Sequence, residues 1–269
     1  MAEARVAVLG TGRMGTPVAA RLATHHRVRV WNRTAARTAQ AVRAGAVPAA
    51  TPAEAVAGAE LVVTVLADDA GLDAALFGPD GAAAALGPGT VLAQLATIGP
   101  DAVRRLASRL SDVDVVDAPV VGSADAAAAG RLTLLAGGSD TALETATRLL
   151  APVGTVRRCG RLGAGSAYKL VVNTALVAGL AALGDALTVA RTLGVPERDV
   201  VEILAGGPLA GLVARGTSTT ASFPVALAAK DLRLALDAAP GAGTARAALD
   251  ALDRLPDPWA DLGAVLAPR

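Results

Sequence analysis

Arg5-Val-Ala-Val-Leu-Gly10-Thr-Gly12-Arg-Met-Gly15 is a short apolar run closed by three glycines in the spacing G-x-G-x-x-G. The spacing alone is weak, but here it follows a strand candidate and opens a helix candidate, Met14 to Thr24, which makes it informative. The three glycines have separate physical roles. Gly10 permits the tight turn, Gly12 lets backbone approach a pyrophosphate, and Gly15 lets helix and strand pack closely. The N-terminus of the following helix then faces the anion. Thr11, Arg13 and Met14 fill the same turn and are candidate cofactor contacts.

The next strand, Arg27 to Trp31, ends in Asn32-Arg33-Thr34. An NAD site carries a carboxylate there for the ribose hydroxyls, whereas an NADP site needs a cation for the 2′-phosphate. Asn32 replaces the acid, Arg33 supplies a guanidinium, and Thr34 adds a hydroxyl that could also cap the following helix. NADP(H) is therefore the expected cofactor, ahead of NAD(H). His25 and His26 precede this strand in a turn and read as solvent-facing.

Further strands read at Leu61–Leu66, Val91–Leu95, Val113–Val116 and Gly130–Gly138, with helices between them. Thr51-Pro-Ala-Glu54 has the form of a helix start, with Thr as N-cap and Pro at the first position. Ser139-Asp140 starts another helix, which stops before Pro152. In an open parallel sheet, loops at the carboxyl ends of strands line the ligand crevice. Leu66, Ala67 and Asp68 follow one strand, Thr97 follows the next, and Asp117-Ala-Pro-Val-Val121-Gly122-Ser123 follows a third. Asp68 and Asp69 read as the acidic first turn of a helix rather than as a metal pair, and no metal site is expected. The alternation points to α/β architecture with a doubly wound sheet.

From about residue 161 the pattern changes to helix alone. Gly163-Ala-Gly-Ser-Ala-Tyr-Lys169-Leu-Val-Val-Asn173 begins with flexible glycines and continues as an apolar helix to Leu193, ended by Gly194 and Pro196. Lys169 and Asn173 lie at i and i+4, on one face. Buried in so apolar a helix, an ammonium and an amide need partners, and a substrate site is one way to give them; the plainer alternative is that Lys169 snorkels to solvent and Asn173 caps or fills space. Later helices read at 195–205, 223–239 and 245–255. The expected domains are residues 1–160, a nucleotide-binding unit, and 161–269, a helical unit.

Hydrophobic residues make up 53% of the 269 and aromatics only 2%, so the core must be Ala, Val and Leu. Net charge is +1 without a basic stripe or stacking aromatics, so nucleic acid is not an expected partner. One cysteine, Cys159, forbids an internal disulfide and reads as a small buried hydrophobe. The N-terminus has no secretory layout, and a cytoplasmic location is the expectation. Residues 167–190 are long enough to span a bilayer, but Lys169, Asn173 and Asp185 interrupt them; no membrane role is expected. At 1.5 Å per residue a helix of about 25 residues runs roughly 37 Å. A unit of that size struggles to cover it, so a homodimer is expected.

Gly10–Gly15 with Met14 inside it, Leu66-Ala-Asp-Asp69, Ala96-Thr-Ile98, Asp117-Ala-Pro-Val120, Gly163–Asn173 and Lys230-Asp231-Leu232 occur in this order along nearly the whole chain. Together they resemble the β-hydroxyacid dehydrogenase family, which includes 3-hydroxyisobutyrate dehydrogenases and tartronate, glyoxylate and succinic semialdehyde reductases. The resemblance implies a Rossmann-type doubly wound sheet followed by an all-helical C-terminal domain. It implies Lys169 as general acid–base, assisted by Asn173, with Thr97, Phe223, Lys230 and Asp231 around cofactor or substrate. Family members carry Asp-Ala-Pro-Val-Ser-Gly-Gly to hold a substrate carboxylate. This chain has Val121-Gly122-Ser123 at the last three places, and Ala96-Thr97 where the family has Ser-Thr.

The expected activity is therefore hydride transfer between NADP(H) and a small carbonyl or hydroxy compound, with Lys169 handling the oxygen-bound proton. Partial desolvation of that lysine would lower its affinity for the proton, in the direction base catalysis needs. The rival enzyme reading is an imine reductase of the same architecture, against which Lys169 argues. A non-catalytic NADP-binding protein is the rival of another class.

Overall fold

Strand β1 (Arg5–Leu9) is a central strand of a nine-stranded sheet, paired in parallel with β2 (Arg27–Trp31) on one side and β4 (Leu61–Thr64) on the other. The structure is a computed structural model and describes residues 3–66, 68–110, 112–219 and 222–267. Ala67, expected beside the cofactor, lies outside the described residues.

Helix α1 (Gly15–Ala23) leads from β1 to β2, and α2 (Ala39–Arg43) leads on to the short β3 (Val47–Pro48). Helix α3 (Pro52–Val56) follows, with Thr51 accepting from the Glu54 amide at 3.1 Å and Pro52 in the first turn. After β4 come α4 (Asp69–Phe77), β5 (Val91–Gln94), α5 (Pro100–Ser108) and β6 (Asp114–Asp117). Then follow β7 (Val120–Val121), α6 (Ala124–Ala128), β8 (Leu132–Gly137), α7 (Asp140–Leu150) and β9 (Gly154–Gly160). The strand order is β3-β2-β1-β4-β5-β6-β8-β7, with β9 paired to β8. The first six strands run parallel, β8 is antiparallel to β6 and β7, and β9 is parallel to β8.

The centre of the sheet follows from composition. All four residues of β4 and of β5 are buried, as expected for parallel strands covered on both faces. Their two polar members pair: Thr64 Oγ1 donates to Gln94 Oε1 at 2.7 Å, across adjacent strands. One apolar layer joins β1, β2, β4 and β8 to α1 and α7; a second joins the other face to α3, α4 and α5. Each fully buried leucine in these layers contributes about 1.5–3 kcal/mol.

The chain divides into two compact units, Met1–Lys169 and Leu170–Arg269. The division falls inside α8 (Ala164–Leu193). The helix is continuous through the division, so the change from strands to helices marks where the helix starts.

In the second unit α8 is followed by α9 (Glu197–Ala205), α10 (Ala210–Gly216), α11 (Val225–Ala238) and α12 (Gly243–Asp253). Val177, Leu180 and Leu183 of α8 share a core with Ala228, Leu232 and Leu236 of α11 and Ala248, Leu249 and Leu252 of α12. The three- and four-residue spacings are those of amphipathic helices. By length and composition α8 would span a bilayer, and 44% of its most apolar window is buried. Its other side leaves Val171, Val189 and Leu193 exposed at 70%, 56% and 71%.

The structure differs from the sequence expectation at Cys159, which is only partly buried, and at His26 and Thr34. His26 is buried, not solvent-facing: its Nε2 lies 3.1 Å from the Leu149 carbonyl, and burial lowers its pKa below the ordinary value. Thr34 stands before a short 3-10 turn, Ala35–Thr38, but its hydroxyl makes no cap there.

Candidate active site

The carboxyl ends of β1, β4 and β5 lie side by side, because these strands are adjacent and parallel. The loops leaving them carry most of the expected cofactor contacts. In the first loop the three glycines behave as their spacing implied. Gly10 adopts φ +101°, and a Cβ on it would lie 2.4 Å from the Val65 carbonyl oxygen. A Cβ on Gly15 would lie 1.9 Å from the carbonyl oxygen of Gly10, so only glycine lets α1 start this close to the turn. Gly12 differs: a Cβ there would meet nothing within 4 Å. Its backbone therefore borders open space at the entrance to α1. That is the face a pyrophosphate needs, so the residues fit a dinucleotide.

The neighbouring loops close around this turn. The Thr11 amide donates to Asn32 Oδ1 at 3.1 Å, while Asn32 Nδ2 donates to the Thr34 carbonyl at 3.0 Å. Asn32 thus braces the glycine turn and the Arg33 loop together, a role its place at the acid position did not disclose. Arg13, Arg33 and Thr34 are exposed, and Met14 packs against the apolar layer beneath. Leu66, just beyond β4, presses on Gly10 to within 2.9 Å of where a Cβ would stand. Asp68 caps α4, accepting from the Gly71 amide at 2.6 Å. Thr97 is half-buried in the loop after β5, where Gln94 Oε1 accepts from the Ala96 amide at 3.3 Å.

Val121 ends β7, opposite Thr133 of β8. Gly122 takes φ +132°, and a Cβ there would meet Leu132 at 2.9 Å. Ser123 caps α6 by accepting from the Ala126 amide at 3.2 Å, which leaves its hydroxyl proton available to a ligand. Lys169 is half-buried in α8. Cys159 is also partly buried, and burial pushes its thiol above the ordinary range, which makes it a poor nucleophile.

Asp117 is a residue of this unit to which the sequence alone assigns no role. It is fully buried at the end of β6, and its two oxygens accept from the Gly163 amide at 2.8 Å and the Ser166 amide at 2.5 Å. An acid at the end of an apolar strand was the available signal.

In the helical unit, Asn173, Lys230 and Asp231 form one cluster. Asp231 is 3% exposed; its Oδ2 accepts from Asn173 Nδ2 at 2.6 Å and its Oδ1 lies 2.8 Å from Lys230 Nζ. A carboxylate oxygen selects the NH2 side of the amide, so Asn173 presents its Oδ1 elsewhere as an acceptor. Phe223 packs against the helical core just ahead of α11. Its amide donates to Asp261 Oδ2 at 2.8 Å, and Asp261 in turn holds Arg215 in two hydrogen bonds of 2.9 Å. Burial draws the Asp261 carboxyl upward, but Arg215 and the Phe223 and Gly263 amides outweigh it and hold the group below the ordinary carboxylate range.

Residues 5–163 match the NAD binding domain of 6-phosphogluconate dehydrogenase, and residues 163–256 match the NAD-binding domain of NADP-dependent 3-hydroxyisobutyrate dehydrogenase. The chain belongs to the β-hydroxyacid dehydrogenase family. As a member of that family it is an NAD(P)-dependent oxidoreductase with a Rossmann-type domain and a helical C-terminal domain. It is 31% identical over 252 residues to 3-sulfolactaldehyde reductase of Escherichia coli, covering 88% of this chain and 83% of that protein. It is 30% identical over 253 residues to an NAD-dependent L-serine dehydrogenase of Pseudomonas aeruginosa, covering 87% and 85%. Among solved structures in this family, the Mycobacterium tuberculosis 3-hydroxyisobutyrate dehydrogenase with L-serine superimposes with a TM-score of 0.84, at 26% identity and 98% coverage of both chains.

Proposed function

We propose that the protein is an NADP(H)-dependent reductase, or the reverse dehydrogenase, for a small semialdehyde or β-hydroxy acid, with Lys169 as general acid–base. The observation that carries the reading is the fixed amide of Asn173, held by buried Asp231 one helical turn beyond Lys169. When bound, the nicotinamide supplies or accepts the hydride at the substrate carbon. Lys169 donates a proton to the carbonyl oxygen during reduction and removes it during oxidation. As an ammonium it also stabilises the negative charge that grows on that oxygen. Asn173 Oδ1, turned away from Asp231, accepts from the lysine ammonium or from the substrate hydroxyl and keeps the proton on its path.

Gly10, Thr11, Gly12, Arg13, Met14 and Gly15, together with Leu66, Asp68, Thr97 and Lys230, are the residues proposed to hold the cofactor. Arg33, with Thr34 beside it, is proposed to meet the 2′-phosphate, and the absence of a carboxylate at Asn32 supports that choice. Val121, Gly122, Ser123, Phe223 and Asp231 are proposed around the substrate. The protein is proposed to act in the cytoplasm as a homodimer, in which exposed Val171, Val189 and Leu193 meet a second copy. A monomer mass by sedimentation at micromolar concentration would remove the dimer.

The test is NADPH oxidation with glyoxylate, tartronate semialdehyde, succinic semialdehyde and a cyclic imine. Turnover of a semialdehyde is expected, and turnover of the imine alone would replace this reading by imine reduction. Lys169→Ala is expected to lose at least about a hundredfold in kcat, the low end of general acid–base assistance. NADPH binding should persist in the variant, and near-normal turnover would take Lys169 out of the chemistry.

A further inference from the structure

The first turn of α8 is attached to the sheet differently from the other capped helices of its unit. Thr51, Asp68, Ser123 and Ser139 each cap the helix that starts immediately after them. Such caps satisfy a helix's own orphan amides and leave its position to packing. The acceptor at the start of α8 is instead Asp117, 46 residues from Gly163 and 49 from Ser166 in sequence. Two amides three residues apart take one oxygen each of a single carboxylate. That arrangement fixes the rotation of the helix as well as its height above β6.

Close backbone packing reinforces the attachment. A Cβ on Gly165 would lie 2.0 Å from the Leu135 carbonyl oxygen and 2.7 Å from that of Asp117. A Cβ on Gly137 would lie 2.7 Å from Asp117 Oδ1. Glycine at both places lets helix backbone rest on strand backbone, with no side chain between them to yield. Lys169 follows Ser166 by three residues, so the root of its side chain inherits this placement.

We propose that Asp117 is a positioning residue for Lys169: its buried carboxylate clamps the first turn of α8 to the ends of β6 and β8 and so sets where the lysine amine stands. The inference rests on the reading of Lys169 as the acid–base. Burial pushes the Asp117 carboxyl above its ordinary range, against the pull of the Ser166 and Gly163 amides. A fully buried carboxylate is a costly way to end a helix when an exposed serine serves elsewhere in the same chain. Placement of the turn is what the costlier group adds.

The experiment is Asp117→Asn, which keeps the shape but turns an NH2 group or a weaker acceptor toward one of the two amides. Steady-state rates are read at saturating NADPH with the semialdehyde that wild-type protein reduces fastest. The expected loss in kcat is between about tenfold and about a hundredfold, the scale set by small misplacements of a catalytic group. The NADPH dissociation constant should change by less than about twofold, because the glycine turn is untouched. The isotope effect with NADPH deuterated at the transferred position should rise as the chemical step becomes limiting. In a Lys169→Ala background, Asp117→Asn should change the residual rate by less than about twofold, since a clamp has nothing left to position.

Wild-type kcat in Asp117→Asn, or a full multiplicative loss in the Lys169→Ala background, would overturn the proposal. Should Asp117→Asn fail to fold, Gly163→Ala decides by the same measurements. Alanine is strained at φ +93° and pulls the Gly163 amide from Asp117. If Lys169→Ala is itself fully active, the reading beneath fails, and that result stands apart from any outcome of the clamp variants.

Discussion

Asn173 Nδ2 donates to Asp231 Oδ2 at 2.6 Å, and both residues are 3% exposed. A short charge-assisted hydrogen bond out of solvent fixes the orientation of the amide as well as its location. Asp231→Asn replaces the acceptor by a group that is half donor, so the Asn173 amide is free to turn over. The expected outcome is a loss of about tenfold in kcat, the scale of one such hydrogen bond. The KM for the aldehyde should change far less. A rise in KM with kcat unchanged, or no change in either constant, would show that Asn173 takes no part in the proton's path.

Gly12 and Gly15 separate folding from cofactor binding. A methyl at Gly15 would collide with the Gly10 carbonyl, whereas one at Gly12 meets nothing within 4 Å. Gly12→Ala is expected to keep its unfolding free energy within about 0.5 kcal/mol of wild type, the ordinary range for a surface exchange. Its NADPH affinity should nevertheless fall at least about tenfold, because the methyl occupies the approach of the pyrophosphate. Gly15→Ala should lose stability and affinity together. Unchanged NADPH binding in Gly12→Ala, read by fluorescence titration, would place the cofactor elsewhere.

Arg33 is the residue proposed to choose between the two nicotinamide cofactors. Hydrogen bonds to a charged group are worth about 1.5–3 kcal/mol. Arg33→Ala should therefore weaken NADPH by roughly ten- to a hundredfold and leave NADH nearly unchanged. Equal kcat/KM for NADH and NADPH in the wild-type protein would refute the assignment directly.

The residues readable in advance are those whose chemistry is local. Gly10, Gly12 and Gly15 announce a turn through their spacing, Thr51 and Ser139 announce helix starts, and Gly194 with Pro196 announces the end of α8. Strand β9 is hidden because Thr155, Arg157 and Arg158 give the segment no apolar run to declare it. Helix α10 is hidden because Gly206-Gly-Pro208 reads as a break and only seven residues form the helix beyond it. His26 looks solvent-facing in sequence because its partner, the Leu149 carbonyl, lies 123 residues away. Asp117 and Asn32 share that difficulty. Both sit at strand ends where an acid or amide is unremarked, and what they hold becomes visible only when Gly163, Ser166 and Thr11 are brought to them.

The Arg215–Asp261 pair gives the helical unit an acid-sensitive lock. Asp261 receives two guanidinium bonds and the amides of Phe223 and Gly263, which hold its carboxyl below the ordinary range despite burial. A carboxyl depressed in the folded state adds stability that is present above its unfolded pKa and lost as pH falls through the folded value. The unfolded value for Asp is about 3.9, so the contribution is complete at neutral pH and declines below about pH 4. Asp261→Asn should cost about 2 kcal/mol at pH 7, the worth of hydrogen bonds to a charged partner. It should also flatten the decline in stability between about pH 4 and about pH 2, because the variant has no carboxyl to protonate there. Urea unfolding at several pH values checks both. A variant as stable as wild type at pH 7, with an unchanged acid limb, would show that Arg215 finds another partner and that the lock lies elsewhere.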